Sequence, residues 1–155
     1  MNPLAQEHRE IERRFLVEQP PDLSLFEHHE VSQGYLTGMP TVIRVRNVSD
    51  IQFFLTVKRG EQANHEEREI NISKEQFEAL WPITSGRRIC KTRYLISHGK
   101  LLIELDIFQG SHTGLQIAEI EFSGLEEANA FAPLPWFGRE VTKDIAYANV
   151  SLGTD

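Results

Sequence analysis

The sequence feature that most constrains the fold is a repeated pairing of like charges at every second position of short β-type segments. In a β-strand, residues i and i+2 point to the same face of the sheet. The acidic pairs are Glu10/Glu12, Glu67/Glu69, Glu104/Asp106 and Glu119/Glu121, and the basic pairs are Arg44/Arg46 and Lys91/Arg93. Arg14 follows the first acidic pair on its face, and Lys58 shares a face with Thr56. Apolar residues fill most of the alternate positions, so each segment predicts a strand with one charged and one apolar face.

Any one of these pairs is compatible with an ordinary sheet whose charged face lies in water. The whole series is harder to explain in that way, because neighbouring like charges repel one another and lower stability. That cost recurs in strand after strand. Ligands of opposite charge would offset it, so we expect the charged faces to line a common interior that binds both cations and a polyanion.

The alternation predicts eight short strands and few helices. The strands are predicted at 10–17, 31–37, 41–48, 51–59, 66–72, 89–97, 101–108 and 115–122. Short turns favour antiparallel pairing, and closing the sheet removes its exposed edges. We therefore expect a mainly β (α+β) fold, an eight-stranded antiparallel closed β-barrel with a few flanking helices. The length of 155 residues suits one domain over 1–155.

Three local patterns predict helix starts. Ser73 with Gln76 and Ser123 with Glu126 have the capping-box spacing. Thr142 is predicted to cap a last helix that carries Ala148 and Leu152.

Composition excludes several classes of protein. The net charge of -7 argues against a nucleic-acid binder. No apolar run approaches the ~20 residues of a membrane-spanning helix, and the first eight residues lack the apolar core of a secretory signal. Cys90 is the only cysteine, so no internal disulfide can form. Together these features predict a cytoplasmic protein.

The two sets of charges predict complementary ligands. Paired carboxylates supply the oxygen ligands that Mg²⁺ or Mn²⁺ prefers. Zinc is disfavoured because Cys90 is alone and the six histidines are scattered. We interpret the histidines as surface residues, with His65 or His112 at a tunnel mouth. Arginine and lysine pairs suit phosphate oxygens. A cavity that holds metal and phosphate serves phosphoryl transfer, in which positioning and electrostatics supply most of the catalysis.

At residues 10–17 the chain reads Glu-Ile-Glu-Arg-Arg-Phe-Leu-Val. This segment resembles the Glu-x-Glu-x-Lys signature of the CYTH superfamily, the triphosphate tunnel metalloenzymes. The similarity continues in order through 33–36, 44–46, 56–58, 91–94, 104–106, 119–121 and 140–149, which is nearly the whole chain. The chain is similar to the small stand-alone bacterial members. The resemblance implies a barrel whose lumen is a tunnel, and family activities that include inorganic triphosphatase, thiamine triphosphatase, class IV adenylate cyclase and RNA triphosphatase.

The resemblance also implies roles for individual residues. Metal binding falls chiefly on Glu10, Glu12, Asp106, Glu119 and Glu121, and the remaining members of the acidic pairs, Glu67, Glu69 and Glu104, complete the predicted metal set. Triphosphate binding falls on Arg44, Arg46, Lys58, Lys91 and Arg93. The predicted catalytic residues are Glu10, Glu12, Arg14 and Tyr35, with Tyr35 as a neighbour in the lumen.

One position departs from the family signature, since Arg14 stands where the family has lysine. In small bacterial members that lysine is thought to help activate the attacking water. A lysine can lose its proton when its pKa is lowered, whereas arginine stays charged in proteins. We therefore expect Arg14 to bind phosphate or stabilise charge, with slower or altered catalysis.

The leading functional prediction is a Mg²⁺- or Mn²⁺-dependent hydrolase of inorganic triphosphate or another triphosphate, such as ATP or thiamine triphosphate. One alternative is a class IV-type adenylate cyclase, which would convert ATP to cyclic AMP and pyrophosphate. A second is a non-catalytic binder of polyphosphate or nucleotide. A third, a barrel carrier for an apolar ligand, requires the apolar faces to point inward. If the charges point inward instead, the outward apolar faces predict a homodimer.

Overall fold

The computed structural model describes residues 6–153, with the backbone alone at residues 6–8. Met1 to Ala5 lie outside the described residues. The prediction that the chain has no secretory signal rests partly on them. The strands are β1 Gln6–Leu16, β2 Glu27–Thr37, β3 Thr41–Val48, β4 Gln52–Glu61, β5 Asn64–Asn71, β6 Arg88–His98, β7 Leu101–Phe108 and β8 Gln116–Phe122. The α-helices are α1 Lys74–Leu80, α2 Leu125–Ala130 and α3 Asn149–Leu152, and 3₁₀ turns lie at Trp81–Thr84, Gly110–His112 and Ile145–Tyr147. No helix within residues 6–153 is long and apolar enough to cross a membrane.

The eight strands close into an antiparallel barrel in the order β1-β5-β4-β3-β2-β6-β7-β8, which confirms the predicted fold class. Closure depends on β1, whose two halves have different partners. Residues 6–11 pair with β5, and residues 11–16 pair with β8. Each of the eight predicted strands is present, with ends that differ by a few residues.

The charged faces of the strands point into the barrel. Glu12, Arg14 and Arg44 are buried there. The apolar faces point outward, where Ile103 and Leu105 are fully covered. This orientation confirms the predicted interior and excludes the apolar-ligand carrier.

Two covers shield much of the outer apolar surface. Residues 23–26, α2 and residues 131–137 pack over β6, β7, β8 and the second half of β1. Helix α1 packs its Phe77 against Val45 of β3 and Phe53 of β4. Burial of a large apolar side chain contributes about 1.5–3 kcal/mol, so these covers stabilise the barrel that positions the interior charges.

One of the three predicted helix starts is present in the structure. The Ser73–Gln76 capping box that begins α1 is present in full. The second box is wrong, because α2 begins after Gly124 and the Ser123 hydroxyl contacts Glu127 instead. Thr142 is not a cap either. A bridge between Phe15 and Glu140 holds this segment extended along β1, where the Thr142 hydroxyl accepts a hydrogen bond from the Arg14 amide.

Candidate active site

The barrel interior contains a cavity of about 220 Å³. Most of the predicted site residues line it: Glu10, Glu12, Arg14, Tyr35, Arg44, Arg46, Lys58, Glu67, Glu69, Arg93, Glu104, Glu119 and Glu121. Lys91 and Asp106 are not in the lining. The predicted metal-binding and phosphate-binding sets therefore share one cavity, with Lys91 and Asp106 buried in its wall.

Strand register explains why the carboxylates converge. Residues directly opposite each other in an antiparallel pair lie on the same face. Between β1 and β8, Glu12 lies opposite Glu121, and Arg14 lies opposite Glu119. Between β7 and β8, Glu104 lies opposite Glu119. A pattern that repeats every second residue on three neighbouring strands thus becomes one acidic wall.

Two pairs of carboxyl groups on this wall share protons. Burial and the charge of Glu119 raise the pKa of Glu12 well above its usual range, and the two groups are hydrogen-bonded. Burial raises the pKa of Glu119 too, but the charge of Arg93 and the hydrogen bond from Glu12 outweigh it and lower the pKa below its ordinary value. Glu121 is exposed to solvent, but partial desolvation and the hydrogen bond to Glu10 raise its pKa to about 8. Glu12 and Glu121 are therefore protonated at neutral pH, each beside an ionised partner.

These four carboxyl groups fit a divalent cation. Each pair brings a protonated carboxyl group against an ionised one, and a hard cation bound between their oxygens would replace the proton. The buried Oε2 atom of Glu12 has no hydrogen-bond partner. A buried acceptor without a donor costs free energy unless something binds it. Oxygen ligands alone suit Mg²⁺ or Mn²⁺.

The opposite wall carries two arginines whose guanidinium groups are only partly hydrogen-bonded. The Nη2 atoms of Arg44 and Arg46 lie 3.9 and 3.4 Å from the same Glu69 oxygen, and the Nε atoms of both arginines are buried without a partner. Burial and the neighbouring charge of Arg44 lower the pKa of Arg46 to about 10. One carboxylate cannot satisfy two guanidinium groups, so this wall favours an anion with several oxygens, such as phosphate.

Arg93 and Lys91 are held by a shared carboxylate. Arg93 donates to both oxygens of Asp106 at 2.7 and 2.8 Å. Lys91 donates to Asp106 at 2.7 Å and to Asn149 Oδ1 at 3.2 Å. Burial lowers the pKa of Lys91 to about 8. Asp106 therefore orients the guanidinium of Arg93, which does reach the cavity, while Lys91 neutralises the carboxylate from the other side.

Arg14 is tied to the C-terminal segment, residues 145–153. Its Nη2 donates to the Tyr147 carbonyl, and its Nε lies 3.8 Å from Glu119. Leu152 packs onto interior-facing residues of β6, β7 and β8, namely Ile89, Phe108 and Ile117. The C-terminal segment thereby fills one part of the barrel interior and contributes Asn149 and Val150 to the cavity lining.

Tyr35 lies in the lumen, opposite Arg44 on β3. It is 2% exposed, and its hydroxyl accepts a hydrogen bond from the Gln33 side-chain amide at 2.7 Å. That bond leaves the phenolic proton available for donation into the cavity.

Of the two histidines expected at a tunnel mouth, His65 lines the cavity and is buried, so it is not a surface residue. It lies on β5 opposite Glu10, is 5% exposed, and its Nε2 is 2.7 Å from Glu10 Oε2. Burial lowers the pKa of His65, but the hydrogen bond to Glu10 and the nearby Glu67 carboxylate outweigh this and raise it to about 9. The missed signal was parity, because His65 precedes Glu67 by two residues and therefore shares its face.

Comparisons with known proteins agree with this geometry. An inorganic triphosphatase from Nitrosomonas europaea is 45% identical over 150 residues, which cover 92% of this chain and 95% of that protein. An inorganic triphosphatase from Acetivibrio thermocellus is 36% identical over 149 residues, covering 93% of this chain and 92% of that protein. A crystal structure of an inorganic triphosphatase has a TM-score of 0.70 at 42% identity, covering 94% of this chain and 98% of that one. No protein-family model matches the chain.

Proposed function

The chain belongs to the CYTH family of triphosphate tunnel proteins, alongside the inorganic triphosphatases that it matches over more than nine-tenths of its length, and we propose that it hydrolyses inorganic triphosphate. Water attacks the terminal phosphorus, the bond to the bridging oxygen breaks, and phosphate and pyrophosphate leave. The observation that supports this most strongly is the cavity in which an acidic wall faces a basic wall.

We propose that Glu10, Glu12, Glu119 and Glu121 hold Mg²⁺ or Mn²⁺. A bound divalent ion polarises phosphoryl oxygens and lowers the pKa of a bound water. The orphaned Glu12 oxygen and the two proton-sharing carboxyl pairs support this assignment. We propose metal binding also for Glu67, Glu69 and Glu104, because they line the same cavity.

The basic wall would hold the substrate. Arg44, Arg46 and Arg93 present guanidinium groups that can bind phosphate oxygens in pairs, and Lys58 adds an ammonium group at the cavity surface. Fixed positive charge stabilises the charge that develops on the phosphoryl oxygens and on the leaving pyrophosphate. Tyr35 would donate a hydrogen bond from its hydroxyl group to one of these oxygens. Lys91 and Asp106 would act indirectly, by orienting Arg93.

The decisive experiment identifies products. We expect the protein with Mg²⁺ or Mn²⁺ to convert inorganic triphosphate to equimolar phosphate and pyrophosphate, and to lose this activity with excess EDTA. Cyclic AMP and pyrophosphate from ATP would instead support the cyclase alternative. Tight triphosphate binding without any product would support the non-catalytic binder and contradict the proposal.

The cavity disfavours the cyclase alternative. Within the described residues, Tyr35 is the one phenyl-type side chain in the lining, and it is held by Gln33 and almost fully buried. An adenine ring would therefore find little aromatic surface on which to stack. A linear polyanion needs no such surface.

The Arg14 hypothesis gives a separate prediction. If the family lysine activates water, Arg14→Lys should raise the turnover of inorganic triphosphate, by up to roughly 10²-fold, the lower end of what a positioned base contributes. Steady-state phosphate release measures this, with Arg9→Lys on the exposed outer side of β1 as the control. An unchanged or lower rate would contradict the lysine argument, and a lower rate would point to the bond between Arg14 and the Tyr147 carbonyl as the important contact.

Metal affinity should depend steeply on pH. Glu121 has a pKa of about 8 and His65 one of about 9, so below these values both hold protons near Glu10. Mg²⁺ bound to these carboxylates must displace at least one proton, so affinity should rise at least about tenfold per pH unit between pH 6 and 8. Calorimetric titration with Mg²⁺ at several pH values tests this. Glu121→Gln should flatten the slope, and a dissociation constant that is independent of pH in the wild type would contradict the shared-proton arrangement.

We also propose a homodimer. On the outer face of β3 and β4, Ile43, Leu55 and Val57 remain half-exposed, while Val45 beside them is covered by α1. A partner subunit would bury the remainder, and sedimentation showing only monomer at micromolar concentration would contradict this. The single-domain organisation and the cytoplasmic location stay predictions.

A further inference from the structure

We propose that Glu10, His65 and Glu67 form a binding site for a transition-metal dication, with Co²⁺ and Zn²⁺ as the probes. This site shares Glu10 and Glu67 with the proposed Mg²⁺ ligands, and to that extent it rests on the proposed function. It differs from them by its nitrogen ligand.

Strand pairing brings the three side chains together. Glu10 on β1 lies directly opposite His65 on β5, and Glu67 follows two residues later on the same face. One ligand atom from each residue lies within 4.8 Å of the others. The Nε2 atom of His65 is 2.7 Å from Glu10 Oε2 and 3.9 Å from Glu67 Oε2. Ligands at 2.0–2.1 Å around a tetrahedral ion stand roughly 3.3 Å apart, so shifts below about 1 Å would form the site.

An unsatisfied oxygen supports a bound ligand independently of the clustering. Glu67 is 7% exposed, and its Oε2 atom has no hydrogen-bond partner. Its nearest cationic atoms are Lys58 Nζ at 3.6 Å and His65 Nε2 at 3.9 Å, both too far for a hydrogen bond. Glu67 also lines the cavity, so an ion can reach this oxygen. A dication here would repel the Lys58 ammonium group, whose flexible side chain can turn away.

The ligand types determine which ion the site prefers. Imidazole nitrogen suits zinc, cobalt and nickel, whereas Mg²⁺ prefers oxygen ligands alone. One histidine and two carboxylates leave a fourth position for water or a phosphate oxygen. Among the described residues of the acidic wall, Glu12, Glu119 and Glu121 offer oxygen only. We therefore expect two preferences within one cavity, with harder ions at the all-carboxylate end and borderline ions beside His65.

The test is direct metal binding to the metal-free protein, without triphosphate. Titration with Co²⁺ should produce the visible absorption of a low-coordinate cobalt site, and calorimetry with Zn²⁺ should give a tightly bound ion. His65→Ala should remove the cobalt band and weaken Zn²⁺ binding by at least roughly tenfold, the smallest loss expected even for an outer-shell change. His65→Gln, which keeps the size and polarity of the side chain, should do the same and guards against misfolding. His98→Ala, at the exposed end of β6, is the matched control and should bind like the wild type.

A further variant separates this proposal from the proposed function. Glu119→Gln removes a proposed Mg²⁺ ligand but no member of the histidine site, so it should weaken Mg²⁺ binding and keep the cobalt band. The proposal is wrong if Co²⁺ binds equally well with and without His65, or if the band depends on Glu119 and not on His65. Loss of triphosphatase activity would not bear on it, since every measurement here is of binding.

Discussion

Replacing Glu119 by glutamine should lower kcat/KM for inorganic triphosphate by at least roughly 10²–10³-fold, the loss typical for one preorganised charge-stabilising group. Glu119 stands at the centre of the acidic wall. It lies opposite both Glu104 and Arg14, and it shares a proton with Glu12. Because its pKa is held below the ordinary value, it is a fixed negative charge over the whole working pH range. The neutral amide removes that charge while nearly preserving the shape of the side chain.

Two measurements distinguish the reason for this loss. If Glu119 holds the metal, the Mg²⁺ concentration for half-maximal activity should rise, and excess Mg²⁺ should restore part of the rate. If Glu119 only positions Arg14, 3.8 Å away, the Mg²⁺ dependence should stay unchanged while KM for triphosphate rises. Glu126→Gln in the exposed first turn of α2 is the control. Activity within a few fold of wild type in Glu119→Gln would contradict the assignment of the acidic wall as the metal site.

Strand parity was enough to predict most of this cavity from the sequence. Once alternate residues are assigned to one face, the residues that project into a closed barrel follow without knowledge of the strand order. Glu12 and Arg44 are buried in the interior for this reason. His65 was not among the predicted site residues, because the predicted strand began at residue 66 and the same rule was not extended two residues before Glu67.

Parity does not give the register between strands, and register decides which charges pair internally. Lys91 and Arg93 share a face with each other, so both were predicted to bind phosphate. In the folded barrel Arg93 lies opposite Asp106, and Lys91 reaches the same carboxylate. The sequence likewise could not show that Thr142 would be engaged by the Arg14 amide, because that contact joins residues 128 positions apart.

Asp106→Asn should give the largest loss of stability among changes to the charged interior. Asp106 is 2% exposed and accepts hydrogen bonds from both Lys91 and Arg93. Removing one partner of a buried ion pair costs about 3–5 kcal/mol, because the remaining charge stays buried without compensation. For a chain of this size each kcal/mol lowers Tm by roughly 2–4 °C, so we expect a fall of roughly 6–20 °C, measured by calorimetry and by urea unfolding.

The exposed pair of Lys74 and Asp50 is a matched control. It has a similar distance, 2.9 Å against 2.7 Å, but its side chains are 49% and 61% exposed. Exposed pairs contribute at most about 1 kcal/mol, so Asp50→Asn should change the unfolding free energy little. If the two variants lose similar stability, burial does not determine the strength of the interior pair.

The two cations beside Asp106 should respond differently once the carboxylate is gone. Burial already lowers the pKa of Lys91 to about 8, so in Asp106→Asn this lysine can release its proton, at a free-energy cost that is larger at pH 7 than at pH 9. Arg93 cannot lose its charge, but it keeps Glu104 as a partner. Adding Lys91→Met should therefore recover only part of the lost stability at pH 7 and less at pH 9, where Lys91 is already largely neutral. Full recovery at both pH values would mean that Lys91 alone requires Asp106, and that Arg93 is held in place by Glu104.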